Sequence, residues 1–542
     1  MNNAAFSFQT PVNETVKSYA PGTPERGSLL AELARQASEV VEIPAIIDGR
    51  DVFSGDVVDV VMPTEHGHVL ARCHLADEAG IAAACDAAVR AQAQWSALSW
   101  IERASIQLKA AELLAGRHRD RINAATMLGQ GKNAHQSEID AAAETIDFLR
   151  YNAMFASQIY AQQPRSALDQ LNRMEYRPLE GFVLAISPFN FTSIASNLSN
   201  SPVLMGNTVV WKPATTAVLS NYHLMRVLQE AGMPPGVINF VPSAGSRLGR
   251  VALARPELAG IHFTGSNGTF NTLWRQVAAN LDHYRSYPRL VGETGGKDFV
   301  FAHASADPVE VATALVRGAF EYQGQKCSAA SRAYVPRSLW PAVRESLVAQ
   351  LSRVTLGDVR DLSHFMNAVI DAASFSNLTA VIGRAKADPG NRVIFGGGAS
   401  DAVGWFVEPT VIEVSDPRAF LMQEEFFGPI LSVFVYGDDA WEETLQICDR
   451  TSPYGLTGAV FSRDRYAFVR ACQILRYAAG NFYLNDKPTG AMVGLQPFGG
   501  ARGSGTNDKA GGPFNLMRWI SPRTIKETFV PATSFEYPFM NR

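Results

Sequence analysis

Residues 208–241, TVVWKPATTAVLSNYHLMRVLQEAGMPPGVINFV, place two short apolar runs on either side of a segment with helical spacing. The runs at 208–211 and 237–241 have the length and composition of buried strands. Residues 220–231 carry apolar side chains at intervals of three and four, as one face of a helix does. A strand, a helix and a second strand in this order are typical of a parallel sheet covered on both faces. The stretch therefore predicts an α/β fold.

The same alternation extends in both directions from this stretch. Further strand-like runs flank it at 182–186 and 260–263, with another helical segment at 247–254. A second α/β series between 297 and 512 has strand-like runs at 392–395, 430–436 and 458–461. Upstream, residues 76–160 are Ala-rich with helical spacing at 81–94 and 103–115, whereas residues 1–60 are interrupted by Pro and Gly and suggest an extended arm.

Composition limits the classes of function. The chain has 542 residues, of which 46% are hydrophobic and 18% charged, so we expect more than one domain. A formal net charge of -4 gives no basic excess for nucleic acid or an anionic membrane. The N-terminal sequence has no charged segment followed by a long apolar run, and no uncharged apolar stretch approaches about 18 residues. We expect a cytoplasmic protein that acts on a small molecule.

The five cysteines form no CxxC pair and no metal-ligand spacing, which predicts a reducing compartment and no metal site. Cys73, Cys85, Cys448 and Cys472 are predicted to be small buried hydrophobic residues. Cys327 differs because it lies in EYQGQKCSAA at 321–330, among small and polar neighbours. We expect the adjacent Lys326 to favour its thiolate form, so Cys327 is a candidate nucleophile, although a buried structural thiol remains an alternative.

A nucleophilic thiolate needs a base and donors for the oxyanion that it creates. The segment LVGETGGK at 290–297 offers Glu293 among glycines, and Asn190 follows the predicted strand at 182–186, at the edge where α/β sheets bind ligands. Taken singly, Glu293 could be a solvated loop carboxylate and Asn190 a turn residue.

Six ordered motifs resemble the aldehyde dehydrogenase superfamily over nearly the whole chain. They are PFN at 188–190, WKP at 211–213, FTGS at 263–266, ETGGK at 293–297, GQKC at 324–327 and EEFFGP at 424–429. GQKCSA at 324–329, NDKPTGA at 485–491, QPFGG at 496–500 and GSGTNDK at 503–509 are similar to one branch of it. That branch oxidises L-glutamate γ-semialdehyde, formed from 1-pyrroline-5-carboxylate, to L-glutamate with NAD, as the second step of proline catabolism.

The resemblance implies a cysteine thioester mechanism. Cys327 would attack the aldehyde, the Asn190 amide and the Cys327 backbone N–H would stabilise the oxyanion, and Glu293 would activate the water that hydrolyses the thioester. The residues implied to bind substrate are Glu144, Phe191, Ser328, Gly490, Ala491 and Phe498. Glu144 lies in a predicted helix at 138–151, where the pattern alone also allows a solvent-facing position, and the resemblance places it opposite the substrate amine.

NAD is the implied cofactor. The predicted helix at 269–277 follows FTGS and would direct its N-terminus at the pyrophosphate, although no GxGxxG motif occurs and the run GSNGT at 265–269 differs from the usual glycine spacing of the superfamily. Thr215 stands where many NAD-preferring relatives have a glutamate, so NADP stays open as an alternative. The residues implied to bind NAD are Ser187, Pro188, Phe189, Lys212, Gly265, Ser266, Thr269, Thr294, Glu425 and Phe427.

The expected architecture has three parts. A Rossmann-like NAD-binding domain with an N-terminal arm takes residues 1–160 and 178–296, an α/β catalytic domain takes 297–512, and a small β oligomerisation flap takes 161–177 and 513–542. The flap implies a homodimer or a higher homo-oligomer. Three other classes remain: a cysteine hydrolase or amidase, which would need a histidine base; a CoA-acylating dehydrogenase, which commonly lacks the base at Glu293; and a non-catalytic protein on the same fold.

Overall fold

The computed structural model describes residues 8–540, in which helices and strands alternate along most of the chain. The helices are α1 (Pro24–Ala37), α2 (Glu78–Ala97), α3 (Trp100–Ala115), α4 (Arg119–Gln130), α5 (Ala134–Ser137), α6 (Thr145–Tyr160), α7 (Thr192–Leu204), α8 (Val218–Ala231), α9 (Gly245–Ala252), α10 (Asn267–Ala279), α11 (Pro308–Phe320), α12 (Trp340–Leu351), α13 (Ala372–Ala387), α14 (Phe420–Gln423), α15 (Trp441–Thr451), α16 (Arg465–Ile474) and α17 (Pro513–Met517). The strands are β1 (Val41–Ile43), β2 (Ala45–Ile47), β3 (Arg50–Val52), β4 (Val57–Met62), β5 (Glu65–His74), β6 (Gln170–Pro178), β7 (Phe182–Ile186), β8 (Thr208–Lys212), β9 (Ile238–Phe240), β10 (Leu258–Thr264), β11 (Arg289–Glu293), β12 (Asp298–Ala302), β13 (Ala330–Pro336), β14 (Asn391–Phe395), β15 (Ala399–Ser400), β16 (Phe406–Val407), β17 (Thr410–Val414), β18 (Ile430–Tyr436), β19 (Tyr454–Gly455), β20 (Thr457–Phe461), β21 (Asn481–Leu484), β22 (Ala501–Arg502) and β23 (Ile520–Thr528).

The stretch 208–241 forms the predicted strand, helix and strand in the first large sheet. That sheet has seven strands in the order β11-β10-β7-β8-β9-β2-β3, and the five strands from β11 to β9 are parallel. Helices cover both faces, so residues Val209, Val210 and Trp211 of β8 are buried irrespective of the face to which they point. The predicted α/β class is confirmed.

A second seven-stranded sheet takes the order β14-β17-β18-β13-β12-β20-β21. Only its edge strand β14 is antiparallel to its neighbour. The 3-10 segment Glu321–Gly324 follows α11, and Cys327 lies between that segment and β13. The nucleophile candidate is therefore held at the beginning of a buried central strand.

Strands β6 and β23 form a separate two-stranded antiparallel ribbon, which runs from the pair Ile520 and Pro178 to the pair Thr528 and Gln170. The predicted flap segment 161–177 contains all of β6 except its last residue, Pro178. The division into three domains stays a prediction, as does the role of the ribbon in assembly, and residues 541–542 of that prediction lie outside the described residues.

The expectation of an extended arm over residues 1–60 was wrong for most of that range. Residues 24–37 form α1, which begins with Pro24 at its first turn and buries Leu29 and Leu33, and residues 57–74 form the paired strands β4 and β5. An extended arm exists only from residue 8 to about 23, and residues 1–7 of the predicted arm lie outside the described residues. Leu29 and Leu33 have the spacing of one helical face, but this pattern is short and the Pro and Gly residues around it favoured a prediction of irregular structure.

The prediction for Cys472 was also wrong, because its side chain is exposed on α16, whereas Cys73, Cys85 and Cys448 are buried. Among residues 8–540, no helix is long and apolar enough to cross a membrane. Within the same residues, no group of three or more His, Cys, Asp or Glu side chains is arranged to hold a metal ion.

Candidate active site

The carboxyl ends of four parallel strands bring the predicted motifs to one edge of the first sheet. Ile186 at the end of β7 is in register with Lys212 at the end of β8 and with Phe263 near the end of β10. Thr264 at the end of β10 pairs in turn with Glu293 at the end of β11. The segments that follow these strands therefore share this edge, where open α/β sheets bind their ligands. They include Ser187, Pro188, Phe189, Asn190, Gly265, Ser266 and Thr294.

Cys327 is held by an unusual turn. Tyr322 and Gln323 both have left-handed backbone conformations, with φ of 53° and 56°. The Gln323 amide donates to the carbonyl oxygens of Gly131 and Ala368, at 2.8 Å each, which fixes a conformation that non-glycine residues rarely adopt. This strain lies only four residues before the thiol, so the surrounding structure determines where Cys327 points.

The thiol environment corrects one expectation. Burial raises the pKa of Cys327 well above its usual value, and the carboxylates of Glu293, Asp298 and Glu425 add to the increase. Lys326 does not offset this, because its ammonium pairs with Glu321 at 3.1 Å. The neighbouring lysine therefore does not favour the thiolate, and a group that takes the thiol proton is needed before attack.

Asn190 is buried beside the turn that carries Cys327. Its Nδ2 donates to the carbonyl oxygen of Gln325 at 3.1 Å. Since an amide nitrogen carries two hydrogens, one remains for an oxyanion formed next to Cys327. The Gln325 side chain is itself fixed, because its Oε1 accepts from the Ile370 backbone N–H at 2.9 Å.

Glu293 has the properties of a base that works near neutral pH. Its Oε1 is buried and has no hydrogen-bond partner among the described residues. Burial raises the pKa of Glu293 to about 8, an increase that Lys509 opposes and Asp508 reinforces. An unpaired carboxylate with a pKa close to ambient pH is suited to accept a proton from water.

A cavity of about 320 Å³ joins Cys327 and Glu293 to all the predicted substrate residues. Cys327 and Glu293 line it, and so do Glu144, Phe191, Ser328, Gly490, Ala491 and Phe498. Its volume is within the range of sites for small molecules. The structure thus brings together segments that are more than 300 residues apart in the chain.

Glu144 lies at the end of a π-helical segment, Glu138–Glu144, and faces the cavity instead of bulk solvent. Its Oε2 accepts from the Ser193 hydroxyl at 2.6 Å. Burial raises the pKa of Glu144 to about 8, and the nearby Asp140 carboxylate increases it further. A cationic group placed against Glu144 would favour its charged form.

Ser193 belongs to a buried polar chain that the sequence did not reveal. Its hydroxyl contacts Asp140 Oδ1 at 2.8 Å as well as Glu144, and Asp140 Oδ2 accepts from Lys132 Nζ at 2.6 Å. The Lys132 ammonium also lies 4.1 Å from the centre of the Phe191 ring. Lys132 lies in the connection between α4 and α5 and Asp140 in the π-helical segment, so nothing local in the sequence connects this pair or links it to Ser193.

The loop at 489–491 closes the opposite side of the cavity. The Ser328 hydroxyl donates to Thr489 Oγ1 at 2.8 Å, which links the residue after the nucleophile to this loop. Gly490 has a φ of +98°, and a Cβ there would lie 2.8 Å from Lys487 Nζ. The backbone conformation of Gly490 therefore favours glycine, whereas the flexible Lys487 side chain could move away from a Cβ. Phe498 is fixed by paired backbone hydrogen bonds with Ala510, at 2.8 and 2.9 Å.

The side of the sheet edge next to α10 has donors and acceptors suited to a dinucleotide. Ser266 caps α10 by accepting from the Thr269 backbone N–H at 3.2 Å, and the start of this 13-residue helix can bind a phosphate. Lys212 Nζ donates to the Pro213 carbonyl oxygen at 3.1 Å, and burial lowers the pKa of this lysine. Such an ammonium is available to ribose hydroxyls.

The loop between α14 and β18, which leads into the second sheet, lies opposite. Glu425 Oε1 accepts from the Gly296 backbone N–H at 2.9 Å, and burial raises the pKa of Glu425 to about 7. The rings of Phe189 and Phe427 meet edge to face at 5.6 Å, and Phe427 has a left-handed backbone with φ of 57°. Thr294 Oγ1 donates to the Gly503 carbonyl at 2.5 Å. A helix start that can bind a phosphate, together with the ammonium of Lys212 and the carboxylate of Glu425, fits NAD.

Comparison with known proteins agrees with this arrangement. The model of the aldehyde dehydrogenase family matches residues 52–525. The mitochondrial delta-1-pyrroline-5-carboxylate dehydrogenase of Dictyostelium discoideum is 50% identical over 540 residues, which cover 99% of this chain and 97% of that protein. The mitochondrial human protein of the same name is 49% identical over 97% of this chain and 94% of its own length.

Solved structures show the same likeness. The crystal structure of the delta-pyrroline-5-carboxylate dehydrogenase from Mycobacterium tuberculosis bound with NAD is 53% identical, with a TM-score of 0.97 and full coverage of both chains. The 1-pyrroline-5-carboxylate dehydrogenase from Thermus with bound NAD is 32% identical, with a TM-score of 0.90 and coverage of 97% of this chain and 100% of that chain. The chain belongs to the aldehyde dehydrogenase family.

Proposed function

We propose that this chain oxidises L-glutamate γ-semialdehyde, in equilibrium with 1-pyrroline-5-carboxylate, to L-glutamate with NAD, the second step of proline catabolism. The observation that carries the proposal is the cavity in which Cys327 and Glu293 lie between a carboxylate, Glu144, and the glycine-containing loop at 489–491. A five-carbon amino-acid aldehyde needs one acceptor for its ammonium and donors for its carboxylate. The cavity offers both, and relatives of about 50% identity carry the corresponding name.

The chemistry begins at Cys327. Its thiol gives its proton to solvent water and the thiolate attacks the aldehyde carbon, while Asn190 Nδ2 and the Cys327 backbone N–H donate to the resulting oxyanion. NAD, when bound, supplies the acceptor for the hydride that leaves this carbon. Glu293 then takes a proton from the water that hydrolyses the thioester, and its unpaired Oε1 and raised pKa suit this step.

Substrate selection depends on the two ends of the cavity. Glu144 receives the ammonium, and the backbone N–H groups of Gly490 and Ala491 together with the Ser328 hydroxyl receive the carboxylate. Phe191 and Phe498 flank the methylene chain between them. The Ser328 hydroxyl donates to Thr489 in the free site, so it must rotate when the substrate carboxylate arrives.

The cofactor occupies the edge of the first sheet in this proposal. The start of α10, with Gly265, Ser266 and Thr269, takes the pyrophosphate, while Lys212 and Glu425 take the two riboses. The remaining predicted contacts, from Ser187, Pro188, Phe189, Thr294 and Phe427, surround the nicotinamide end. Residues 1–160 and 178–296 accordingly form the NAD-binding domain, and 297–512 form the catalytic domain.

Assembly into a homodimer or larger homo-oligomer rests on the flap, residues 161–177 and 513–542. The ribbon of β6 and β23 extends from the body, and apolar side chains beside it are solvent-exposed, including Leu168, Phe529 and Val530. Exposed apolar clusters of this kind are typical of protein interfaces. The free edge strand β21 of the second sheet is available to a second copy.

A cytoplasmic location is part of the proposal, supported by five free cysteines.

The hydrolase alternative is disfavoured by the two histidines in the cavity wall, His135 and His262, because burial lowers the pKa of both rings. His262 Nδ1 lies 3.0 Å from the Leu198 carbonyl and its Nε2 lies 3.3 Å from the Asn515 amide. Burial lowers the pKa of His262 to about 3, so this ring is a poor base for a thiol. The CoA-acylating alternative is disfavoured as well, because such an enzyme commonly lacks the carboxylate that Glu293 provides here.

A substrate panel tests the function. Purified protein is given glutamate γ-semialdehyde, hexanal or benzaldehyde with NAD or NADP, without CoA, and absorbance at 340 nm is followed. We expect efficient NADH formation with glutamate γ-semialdehyde and a much lower kcat/KM for the two simple aldehydes. Equal efficiency on all three would overturn the substrate assignment, and an absolute requirement for CoA would overturn the hydrolytic step.

A further inference from the structure

The N-terminal segment from residue 11 to 17 lies across the substrate cavity. Glu14 and Val16 belong to the cavity wall. The segment is fixed at its ends, because the Tyr151 hydroxyl donates to the Pro11 carbonyl at 2.8 Å and Glu138 Oε1 accepts from the Lys17 backbone N–H at 2.8 Å. A stretch remote in sequence from every predicted motif therefore completes the site.

Asn13 joins three elements through the hydrogen bonds of its side chain. Its Nδ2 donates both to Asp147 Oδ2, at 2.7 Å, and to the Val493 carbonyl oxygen, at 2.9 Å. Its Oδ1 lies 3.1 Å from the Tyr151 hydroxyl and shares the single hydrogen of that group with the Pro11 carbonyl oxygen. Asp147 is bound a second time, since its Oδ1 accepts from the Glu14 backbone N–H at 2.8 Å. One side chain thus connects the N-terminal segment, α6 and the end of the loop that continues from 489–491.

We propose that Asn13 is a positioning residue for substrate selection, which sets the separation between the ammonium-binding and carboxylate-binding ends of the cavity. The inference rests on the proposed function of that cavity. Asp147 lies one helical turn after Glu144, and Val493 lies two residues after Ala491. Asn13 bonds to both Asp147 and Val493, so it spans the two ends directly.

Helix α6 and this loop are in close contact beside Asn13. A Cβ at Gly494 would lie 2.2 Å from Tyr151 Cε1, so the ring of Tyr151 packs directly on the loop backbone. A loop that has no regular secondary structure needs such fixed points to hold its N–H groups in a preformed arrangement. A substrate with charges at both ends is sensitive to the distance between its two binding groups, whereas a simple aldehyde is not.

The test compares Asn13→Ala with the neighbouring control Val12→Ala, whose wild-type side chain is 84% exposed. We measure kcat and KM for glutamate γ-semialdehyde, the ratio of kcat/KM between that substrate and hexanal, and the Kd of L-glutamate for the protein without cofactor. Because Asn13→Ala removes the two hydrogen bonds that Asn13 donates and the one that it accepts, it should raise KM and Kd about tenfold and lower the ratio about tenfold, with kcat little changed. Val12→Ala should match wild type.

A double variant that exchanges the two side chains distinguishes an effect on the geometry of the cavity from an effect on the stability of the protein. Asn13→Asp combined with Asp147→Asn restores a hydrogen bond between the two side chains but leaves the Val493 carbonyl without its donor. We expect the double variant to recover the Tm that Asn13→Asp alone loses, but not the wild-type KM. Recovery of both, or wild-type KM and Kd in Asn13→Ala, would overturn the role of Asn13. If wild type itself shows no preference over hexanal, the proposed substrate fails instead.

Discussion

Glu293 offers the most direct test of the proposed chemistry. Replacement by Gln keeps the size of the side chain but removes the group that accepts a proton from water. Acylation of Cys327 does not require that step, so the first turnover should still release NADH. General-base assistance is worth about 10² to 10⁴ in rate, and we expect the steady-state rate of Glu293→Gln to fall within that range.

The pKa of Glu293 also determines how strongly the rate of thioester hydrolysis depends on pH in the wild type. A carboxyl group with a pKa of about 8 is about one-tenth ionised at pH 7 and about nine-tenths ionised at pH 9. Because the ionised form is the active base, thioester hydrolysis should accelerate roughly ninefold between these values. The residual rate of Glu293→Gln should lack this dependence.

Stability gives an independent measurement of the same carboxyl group. Its pKa is raised from 4.5 in the unfolded chain to about 8 in the folded protein, so between these values the folded state binds more protons. Its contribution to the free energy of unfolding therefore falls as pH rises through this window. As the pH rises from 5 to 8, we expect the Tm of Glu293→Gln to increase relative to the Tm of the wild type.

The assay is rapid mixing of enzyme, NAD and glutamate γ-semialdehyde, followed at 340 nm. Glu293→Gln should show a burst of about one NADH per active site and then a slow phase. An unchanged steady-state rate would refute Glu293 as the base. A slow variant without a burst would place its role before hydride transfer, which also contradicts the reasoning.

The other predictions concern the nucleophile and the two ends of the cavity. Cys327→Ala should fold, as judged by an unchanged Tm, and bind NAD in a fluorescence titration but lose turnover, and retention of more than a few per cent would exclude it as the nucleophile. Ser328→Ala should lower kcat/KM for glutamate γ-semialdehyde roughly tenfold to a hundredfold, because a hydrogen bond to a charged group contributes about 1.5 to 3 kcal/mol, and an unchanged ratio to hexanal would contradict this. Ser193→Ala removes the donor to Glu144, so we expect a higher KM for glutamate γ-semialdehyde, with Ser193→Thr as the variant that retains the hydroxyl; equal KM values in both variants would contradict it.

The alternation of short apolar runs with helical segments was sufficient to predict the α/β class, because a strand buried on both faces must be apolar at every position. It also gave the bounds of several elements, among them β7 at 182–186 and β18 at 430–436. The candidate nucleophile could be selected from the sequence because its neighbours are small and polar. The resemblance to a family then supplied the remaining site residues.

Local patterns failed where long-range contacts determine the outcome. The helix α1 was missed since its apolar positions are few and lie among Pro and Gly, and packing against the body stabilises it. Cys472 was assigned to the core because an Ala-rich helix does not reveal which face is covered. Lys326 was expected to favour the thiolate, but its partner Glu321 could be identified only from the folded turn.

The sequence by itself determined the order of strands and helices and the chemical groups available for reaction. Only the tertiary structure decided which of those groups share a cavity, and how Lys132, Asp140 and Ser193 support Glu144. The raised pKa values of Glu293 and Glu144 likewise come from burial, which depends on segments hundreds of residues apart. Periodicity reports the face of a single element, whereas the position of Asn13 between α6 and a loop 480 residues away is set by the packing of the whole chain.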